Sequence, residues 1–438
     1  MSDDRAVTAA PGTVLDAKLG PMGAELVEQA AARLAGVVDR TPLQHNARLS
    51  AGGADVWFKR EDLQVVRSYK VRGAYNVLAQ LSAEDRARGV VCASAGNHGQ
   101  GLAYACAELG VQGRIFLPRN TPRQKRERIA AIGGDHVQTV VTGATYDEAA
   151  VAAAADAVRT GATVVPAFDD LRTIAGQGTV ALEVVEQLVE RTGSPPDVLV
   201  VPVGGGGLAA GCAAWLRERH PQVRIVGVEP QGAACVAAAL AAGHPVDLVD
   251  LDTFVDGASV RRAGTLTTPV IAAAGVELVQ VPEGRVCVEL LALYGSDGIV
   301  AEPAGALASA ALAELVRAEP GQQVVCILSG GNNDVSRYAE IAERAAVFEG
   351  RKHYFLVEFP QQPGALRHFL DEVLGPDDDV TLFEYVKRSN RETGPALVGI
   401  ELARREDLPP LLERMAAAPP QVELIASDSP MFRFLLSG

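Results

Sequence analysis

No stretch of this sequence reaches the roughly eighteen uncharged apolar residues that a membrane span needs. Basic residues are in deficit: 40 Lys and Arg stand against 54 Asp and Glu, a net charge of −14. That balance argues against a nucleic-acid partner, which requires clustered cations, yet a few local donors can still hold a small anion. The six cysteines include no Cys-x-x-Cys pair and read as reduced packing residues. The seven histidines show neither His-x-x-x-His nor His-Glu-x-x-His spacing, so no metal is expected. The start, Met1 to Thr13, carries early acids and no apolar core, unlike a secretory leader. The cytoplasm is the expected location.

What the chain does have is length and apolar content. With 438 residues and 48% hydrophobic composition, it is long enough for two or three packed domains. Residues 1–20 read as a polar, mobile arm. From there to about residue 335, short β-branched runs alternate with alanine-rich helical stretches. The runs include 89–94, 113–117, 137–141, 198–202, 223–228 and 324–328. Alternation of this kind predicts an α/β unit with mostly parallel sheets, a smaller lobe falling at about 89–166. Ligand sites in such sheets lie at the carboxyl ends of strands.

A connecting helix is expected over 336–350, ending at Gly350. Beyond it, over 351–438, the pattern becomes strand 354–359, a helix from Pro363 with Leu366, Phe369, Leu370 and Val373 on one face, strands 380–386 and 396–402, a helix about 408–415, and strand 422–426. The order β-α-β-β-α-β is that of a ferredoxin-like α+β domain. It holds no catalytic constellation.

Four segments of the larger unit carry candidate chemistry. Lys59 to Ala74 reads as a loop containing Ser68-Tyr69-Lys70, followed by Arg72-Gly73. A lone lysine is ordinarily a solvated charge, but one beside an aromatic wall such as Tyr69 can be deprotonated and nucleophilic. Ser94-Ala95-Gly96-Asn97-His98 reads as a polar turn opening a helix. It fits a carboxylate cradle or plain helix capping. Gly204-Gly205-Gly206-Gly207 lies between a strand and the helix from Leu208, where bare amides can meet a phosphate. A tight turn is the plainer reading. Gly204, Gly206 and Ala209 also match a dinucleotide-binding pattern, with Glu229 placed as the ribose-binding acid. Ser329-Gly330-Gly331-Asn332 follows the last strand of the unit; its hydroxyl alone would be an ordinary loop group.

In this order and spacing the four segments, over about residues 25–335, resemble the serine/threonine dehydratase branch of the fold type II pyridoxal-phosphate enzymes. The tail, through Gln361-Gln362-Pro363-Gly364-Ala365-Leu366, resembles the ACT-like regulatory domain of biosynthetic threonine dehydratases. The resemblance implies a two-lobed catalytic unit using pyridoxal 5'-phosphate. Lys70 would be the Schiff-base lysine, and Asn97 would bond the ring hydroxyl. Gly204, Gly205, Gly206, Gly207 and Leu208 would hold the phosphate, and Ser329 the pyridine nitrogen. Ser94, Ala95, Gly96 and His98 would take the substrate carboxylate. It further implies threonine as substrate with some serine turnover, isoleucine as effector, and a homotetramer or homodimer. Relatives that racemise serine carry a hydroxyl where Ala95 stands, so little racemisation is expected. A cation occurs near the position of Glu229 in some relatives. Here Ala233 and Cys235 follow it, which supports no metal. Two other readings stay open on the residues alone: a nicotinamide-dependent dehydrogenase built on 204–229, and a catalytically inactive amino-acid sensor.

Overall fold

A computed structural model of the chain describes residues 22–312, 314–385, 392–417, 421–426 and 429–436. The arm expected over 1–20 lies outside the described residues, as does Val386, the end of one expected strand. The chain divides into two compact units. One runs to Glu283 and resumes over Ala292–Asn333; the other comprises Gly284–Leu291 and the residues from Asp334 onward.

Among the described residues the first unit holds ten strands: β1 (Leu43–His45), β2 (Asp55–Arg60), β3 (Val90–Ala93), β4 (Gly113–Leu117), β5 (Val137–Val141), β6 (Thr163–Val164), β7 (Val198–Pro202), β8 (Arg224–Pro230), β9 (Glu277–Val281) and β10 (Gln323–Leu328). They form a six-stranded sheet, β1-β2-β10-β7-β8-β9, and a four-stranded sheet, β5-β4-β3-β6. Only the β1–β2 pairing is antiparallel; the rest are parallel. All five residues of β7 are buried. A parallel strand is covered on both faces, and its sequence is apolar throughout for that reason.

Lys59 to Ala74 is not one loop. Lys59 and Arg60 end β2, pairing in register with Ile327 and Leu328 of β10, and Lys70 opens a helix running to Ala79. Asp55–Arg60 lacks a continuous apolar run, which hid the strand. Behind this helix lie the Leu171–Thr192 and Gly207–Arg219 helices. Neither contact admits a side chain: where these two helices cross, a Cβ at Gly211 would sit 2.2 Å from the Ile174 carbonyl oxygen, and where the first of them meets the Lys70 helix, one at Gly176 would sit 2.6 Å from that of Arg72. Close backbone approach explains the glycine and alanine content of these helices.

A largely buried charge network fixes the Lys70 helix to its surroundings. Arg72 grips Glu61 through Nε and Nη2, both at 2.8 Å. It also reaches Glu183 through Nη1 at 2.6 Å and Nη2 at 2.9 Å. Lys59 Nζ meets the same Glu183 at 2.5 Å. Burial opposes the charge on Arg72, but the two carboxylates more than offset it and hold the guanidinium protonated.

The second unit contains β11 (Lys352–Pro360), β12 (Asp379–Tyr385), β13 (Thr393–Glu401) and β14 (Gln421–Leu424), ordered β12-β13-β11-β14 and antiparallel throughout. That is the ferredoxin-like strand order. Phe355, Val357 and Phe359 of β11 face one core with Phe369, Leu411 and Met415. Tyr354 and Leu356 face the other with Ile425, Phe432 and Val347. A helix over Tyr338–Phe348 precedes the sheet. Its Phe348 fills the space a Cβ at Gly284 would need, 2.5 Å away. A short final helix, Pro430–Leu436, has Ser429 Oγ accepting from Phe432 N at 3.2 Å.

Candidate active site

The four sequence segments converge at the carboxyl ends of β3, β7 and β10. Tyr69 N donates to the Ser329 carbonyl at 3.2 Å, and Ser68 bridges Gly330. A Cβ at Gly101 would lie 3.0 Å from the Lys70 carbonyl, so the Asn97–Leu109 helix backs directly onto Lys70. Lys70 Nζ donates to the Ala167 carbonyl at 3.0 Å and lies 5.2 Å from the Tyr69 ring centre. Burial pushes its amine down to about 8, against a smaller upward pull from Glu302.

The polar turn does not act as a side-chain cap for its helix. Gly96 occupies the cap position. Ser94 Oγ accepts from Gly96 N at 3.3 Å. Asn97 turns away from the helix end: its Nδ2 donates to Glu302 Oε1 at 2.5 Å, and its Oδ1 accepts from Asn332 Nδ2 at 2.7 Å. Among the described residues, the amides of Ala95, Asn97 and His98 donate to no protein group. The His98 ring is committed elsewhere. Nε2 lies 2.8 Å from the Val165 carbonyl and so must carry the hydrogen, which leaves Nδ1 a buried acceptor with no partner. Burial, and then the nearby Lys70 charge, hold the ring neutral by lowering it to about 4. A neutral ring offering only an acceptor cannot bind a carboxylate; the expected contribution of His98 reduces to its backbone amide.

The glycine run follows β7. Gly206 sits at φ +91°, a conformation that favours glycine, and caps the Gly207–Arg219 helix. Amides of Gly205, Gly206, Gly207 and Leu208 have no acceptor among the described residues. Phe168 packs its ring where a Cβ at Gly205 would fall, 2.5 Å away. Asp169 ties the neighbouring loop by accepting from Thr265 N at 2.9 Å and Leu266 N at 2.8 Å. Ser329, buried at the end of β10, donates from Oγ to the Ala304 carbonyl at 3.2 Å.

Glu229 is not presented to any ribose. It is buried, and its two oxygens accept from Val236 N at 2.7 Å and Ala237 N at 2.9 Å, capping the Cys235–Ala242 helix. Burial pushes its carboxyl up to about 7. The acid that a dinucleotide site needs is thus already spent.

The model of the pyridoxal-phosphate dependent enzyme family matches residues 34–330, and that of the C-terminal regulatory domain of threonine dehydratase matches 343–435. The biosynthetic L-threonine dehydratase of Mycobacterium tuberculosis is 61% identical over 413 residues, which is 94% of this chain and 95% of that protein. That of Bacillus subtilis is 46% identical over 401 residues, 91% of this chain and 94% of that one. Among solved structures, the processed threonine deaminase isoform 2 of Solanum lycopersicum superposes with a TM-score of 0.68 at 35% identity, covering 77% of this chain and 98% of that chain. Maize serine racemase reaches a TM-score of 0.66 at 30% identity, covering 74% and 97%. The chain belongs to the pyridoxal-phosphate-dependent enzymes, within the biosynthetic threonine dehydratases.

Its residues fit the cofactor of that family. Four unengaged amides at a helix start make a phosphate cradle. A lysine depressed to about 8 stands within the same set of loops. Several residues that these loops bring together escaped the sequence reading. Ala167 and Phe168 carry no chemical signature. Asn332 is one amide in a polar loop. Glu302 did leave a trace: it is the single charge in the run from Ile299 to Leu312. A lone carboxylate in an apolar helix start is a signal that could have been followed.

The regulatory unit holds a cavity of about 430 Å³ lined by Phe359, Gln361, Leu366, Leu370, Phe383 and Tyr385, among others. The apolar helix face expected here is divided: Phe369 and Val373 enter the core, whereas Leu366 and Leu370 are 41% and 42% exposed at the cavity. Phe359 meets Phe383 and Tyr385 edge-on, each at 5.9 Å.

Proposed function

We propose that this protein is a threonine ammonia-lyase, converting L-threonine to 2-oxobutanoate and ammonia as the first step toward isoleucine, in the cytoplasm and as a homo-oligomer. One observation carries the reading: a lysine with a depressed pKa stands among loops whose free amides make two separate anion cradles. Gly204 to Gly207 with Leu208 would hold the cofactor phosphate. Asn97 would hold the ring hydroxyl, Ser329 the pyridine nitrogen and Lys70 the reactive carbon. When bound, pyridoxal phosphate supplies an electron sink for charge developing on the substrate α-carbon.

The protein groups do the rest. Ser94 and the amides of Ala95, Asn97 and His98 fix the threonine carboxylate. Lys70, largely able to exist as a neutral amine near pH 8, removes the α-proton. The bond from the β-carbon to oxygen then breaks, and the departing hydroxide leaves as water with the proton that Lys70 gives up, which returns the amine to its neutral form. The released enamine regains a water as it hydrolyses, so atoms balance. Ser329 cannot protonate the ring nitrogen as a carboxylic acid would, which favours elimination over transamination. A threonine methyl is worth only about 1–3 kcal/mol in a pocket, so some serine turnover is expected.

The test is spectroscopic and kinetic. The purified protein should absorb in the near-visible, and borohydride should bleach the band. Lys70→Ala should lose that band and at least the 10²–10⁴-fold or so that a general base contributes, while still binding the cofactor weakly. A Lys70→Ala variant with normal ammonia release would place the chemistry on another residue. For the regulatory unit, isoleucine is the proposed effector and the Phe359–Tyr385 cavity its proposed seat, since apolar rings and a polar Gln361 rim suit an aliphatic amino acid.

A further inference from the structure

Glu302 is a buried carboxyl for which the proposed chemistry has no use. It stands between Ala301 and the Pro303–Leu312 helix, 5% exposed. The backbone around it is tightly fixed: Glu302 N donates to the Gly330 carbonyl at 3.1 Å, and its own carbonyl accepts from Gly305 N at 2.8 Å. Gly330 makes room for the side chain, because a Cβ there would fall 2.3 Å from Glu302 Oε1. The chain has kept space for an acid in a place where burial disfavours one.

No cation forms an ion pair with Glu302 among the described residues. The charged and titratable groups that face it are Asp256, Lys125, Tyr69 and Lys70. Asp256 engages Lys125 at 2.8 Å and adds like-charge repulsion. Among the described residues the side-chain partner of Glu302 is Asn97 Nδ2 at 2.5 Å, and the Asn332 backbone N–H also donates to its carboxylate. Asn332 Nδ2 donates to Asn97 Oδ1 at 2.7 Å and to the Val66 carbonyl at 2.9 Å. That second contact sets which way the Asn97 amide points, so Nδ2 and not Oδ1 faces Glu302. An amide nitrogen has two hydrogens. One is held by Glu302, and the other is left to meet an incoming oxygen.

We infer that Glu302 is a proton-storing positioning residue, which orients the Asn97 amide toward the cofactor's ring oxygen and takes up a proton when the anionic cofactor enters. This rests on the assignment of Asn97 to that oxygen. The physical reason is like-charge repulsion inside a low-dielectric site. Burial and then Asp256 already raise the carboxyl to about 7, against the Asn97 bond and Lys125. Bringing in a phosphate and a ring oxyanion raises it further, so protons are bound on association. A carboxyl raised further by the entering charge binds protons in the range above its free value of about 7, so association takes up part of a proton there and cofactor affinity falls as pH rises through that range.

The experiment reconstitutes full-length protein, stripped of cofactor, with pyridoxal phosphate by calorimetry at pH 8 in two buffers of different ionisation enthalpy. Phosphate contributions cancel between wild type and Glu302→Gln; because Glu302 also pulls the Lys70 amine upward, both titrations are repeated in a Lys70→Ala background to remove the Lys70 contribution. Wild type should take up more, by up to one proton, and Glu302→Asp should restore part of that difference. Independently of any variant, the infrared carbonyl stretch of a protonated carboxyl should appear when cofactor is added to wild type at pH 8. Equal proton uptake in wild type and Glu302→Gln, or no such band, overturns the inference. Asn97→Ala separates it from the underlying assignment. Unchanged cofactor affinity in Asn97→Ala removes the ring-oxygen anchor itself, whereas weakened affinity with equal uptake in wild type and Glu302→Gln removes the role of Glu302 alone.

Discussion

Gly206 shows how one residue can serve backbone and ligand together, and how to tell the two apart. Its φ of +91° strains any side chain, and a Cβ would lie 2.8 Å from Thr267 Oγ1. Gly206→Ala should therefore lose stability of roughly 1–3 kcal/mol. Gly206→Asp should lose a similar amount and, in addition, weaken pyridoxal-phosphate binding at least tenfold beyond alanine, because a carboxylate repels the phosphate. Thermal melts and cofactor titrations of both variants separate the effects. Identical cofactor affinity in the alanine and aspartate forms would leave the glycines as turn-makers only.

Lys70 makes a pH prediction. Its folded value is lowered, from an ordinary 10.5 to about 8, so the neutral, reactive amine is present above about 8 and protonated below. Capture of pyridoxal phosphate by the stripped protein, followed by absorbance, should accelerate with pH and level off just above 8. A midpoint near 10 would mean that the amine is solvated. Ala95 carries the complementary prediction that serine is eliminated far faster than it is racemised, since a methyl group transfers no proton; comparable rates in a chiral assay would contradict it.

Among the elements, the helix from Lys70 to Ala79 depends on Arg72. The guanidinium binds two carboxylates at once through a planar fork that a lysine ammonium cannot reproduce. Arg72→Lys should cost on the order of 3–5 kcal/mol in denaturant unfolding, the range seen when a buried pair is broken, and should broaden the cofactor absorbance band as Lys70 loses its fixed start. A change under 1 kcal/mol would show the network to be slack.

Legibility at this scale followed burial. The largely buried strands β4 and β7 stood out at their observed limits because a parallel interior demands apolar residues throughout. β2 was hidden because Asp55, Lys59 and Arg60 interrupt it, their charges being accommodated by partners far along the chain such as Glu183 and Gln323. The Asn97 turn was read as a possible helix cap, and only its distant partners Glu302 and Asn332 show otherwise.

For the whole molecule, regulation is the open function. An effector changes activity only by binding one state better than another, a coupling typically worth about 1–3 kcal/mol. Isoleucine should raise the threonine concentration needed for half-maximal rate in the full-length enzyme. Leu366→Asp, at an exposed cavity position, should abolish that response and leave basal deamination intact. Titrating isoleucine at sub-saturating threonine checks both. Indifference of the unaltered enzyme to millimolar isoleucine would end the regulatory reading, and normal inhibition of Leu366→Asp would move the effector elsewhere.

Local chemistry in the sequence alone determined the parallel α/β class and the ferredoxin-like order of the tail, while the order and spacing of four segments, through a family resemblance, pointed to Lys70, Asn97, Gly204 to Gly207 and Ser329 as the groups to watch. Such features are legible because periodicity, glycine and motif spacing act over a few residues. Tertiary structure decided which groups are free to act. It spent Glu229 on a helix start, turned the His98 ring toward Val165, and lowered Lys70 by burial. It also brought Glu302 to Asn97 across 205 positions of chain. Desolvation and hydrogen-bond partnership are set by residues far apart in sequence, and they exist only once the chain has closed around them.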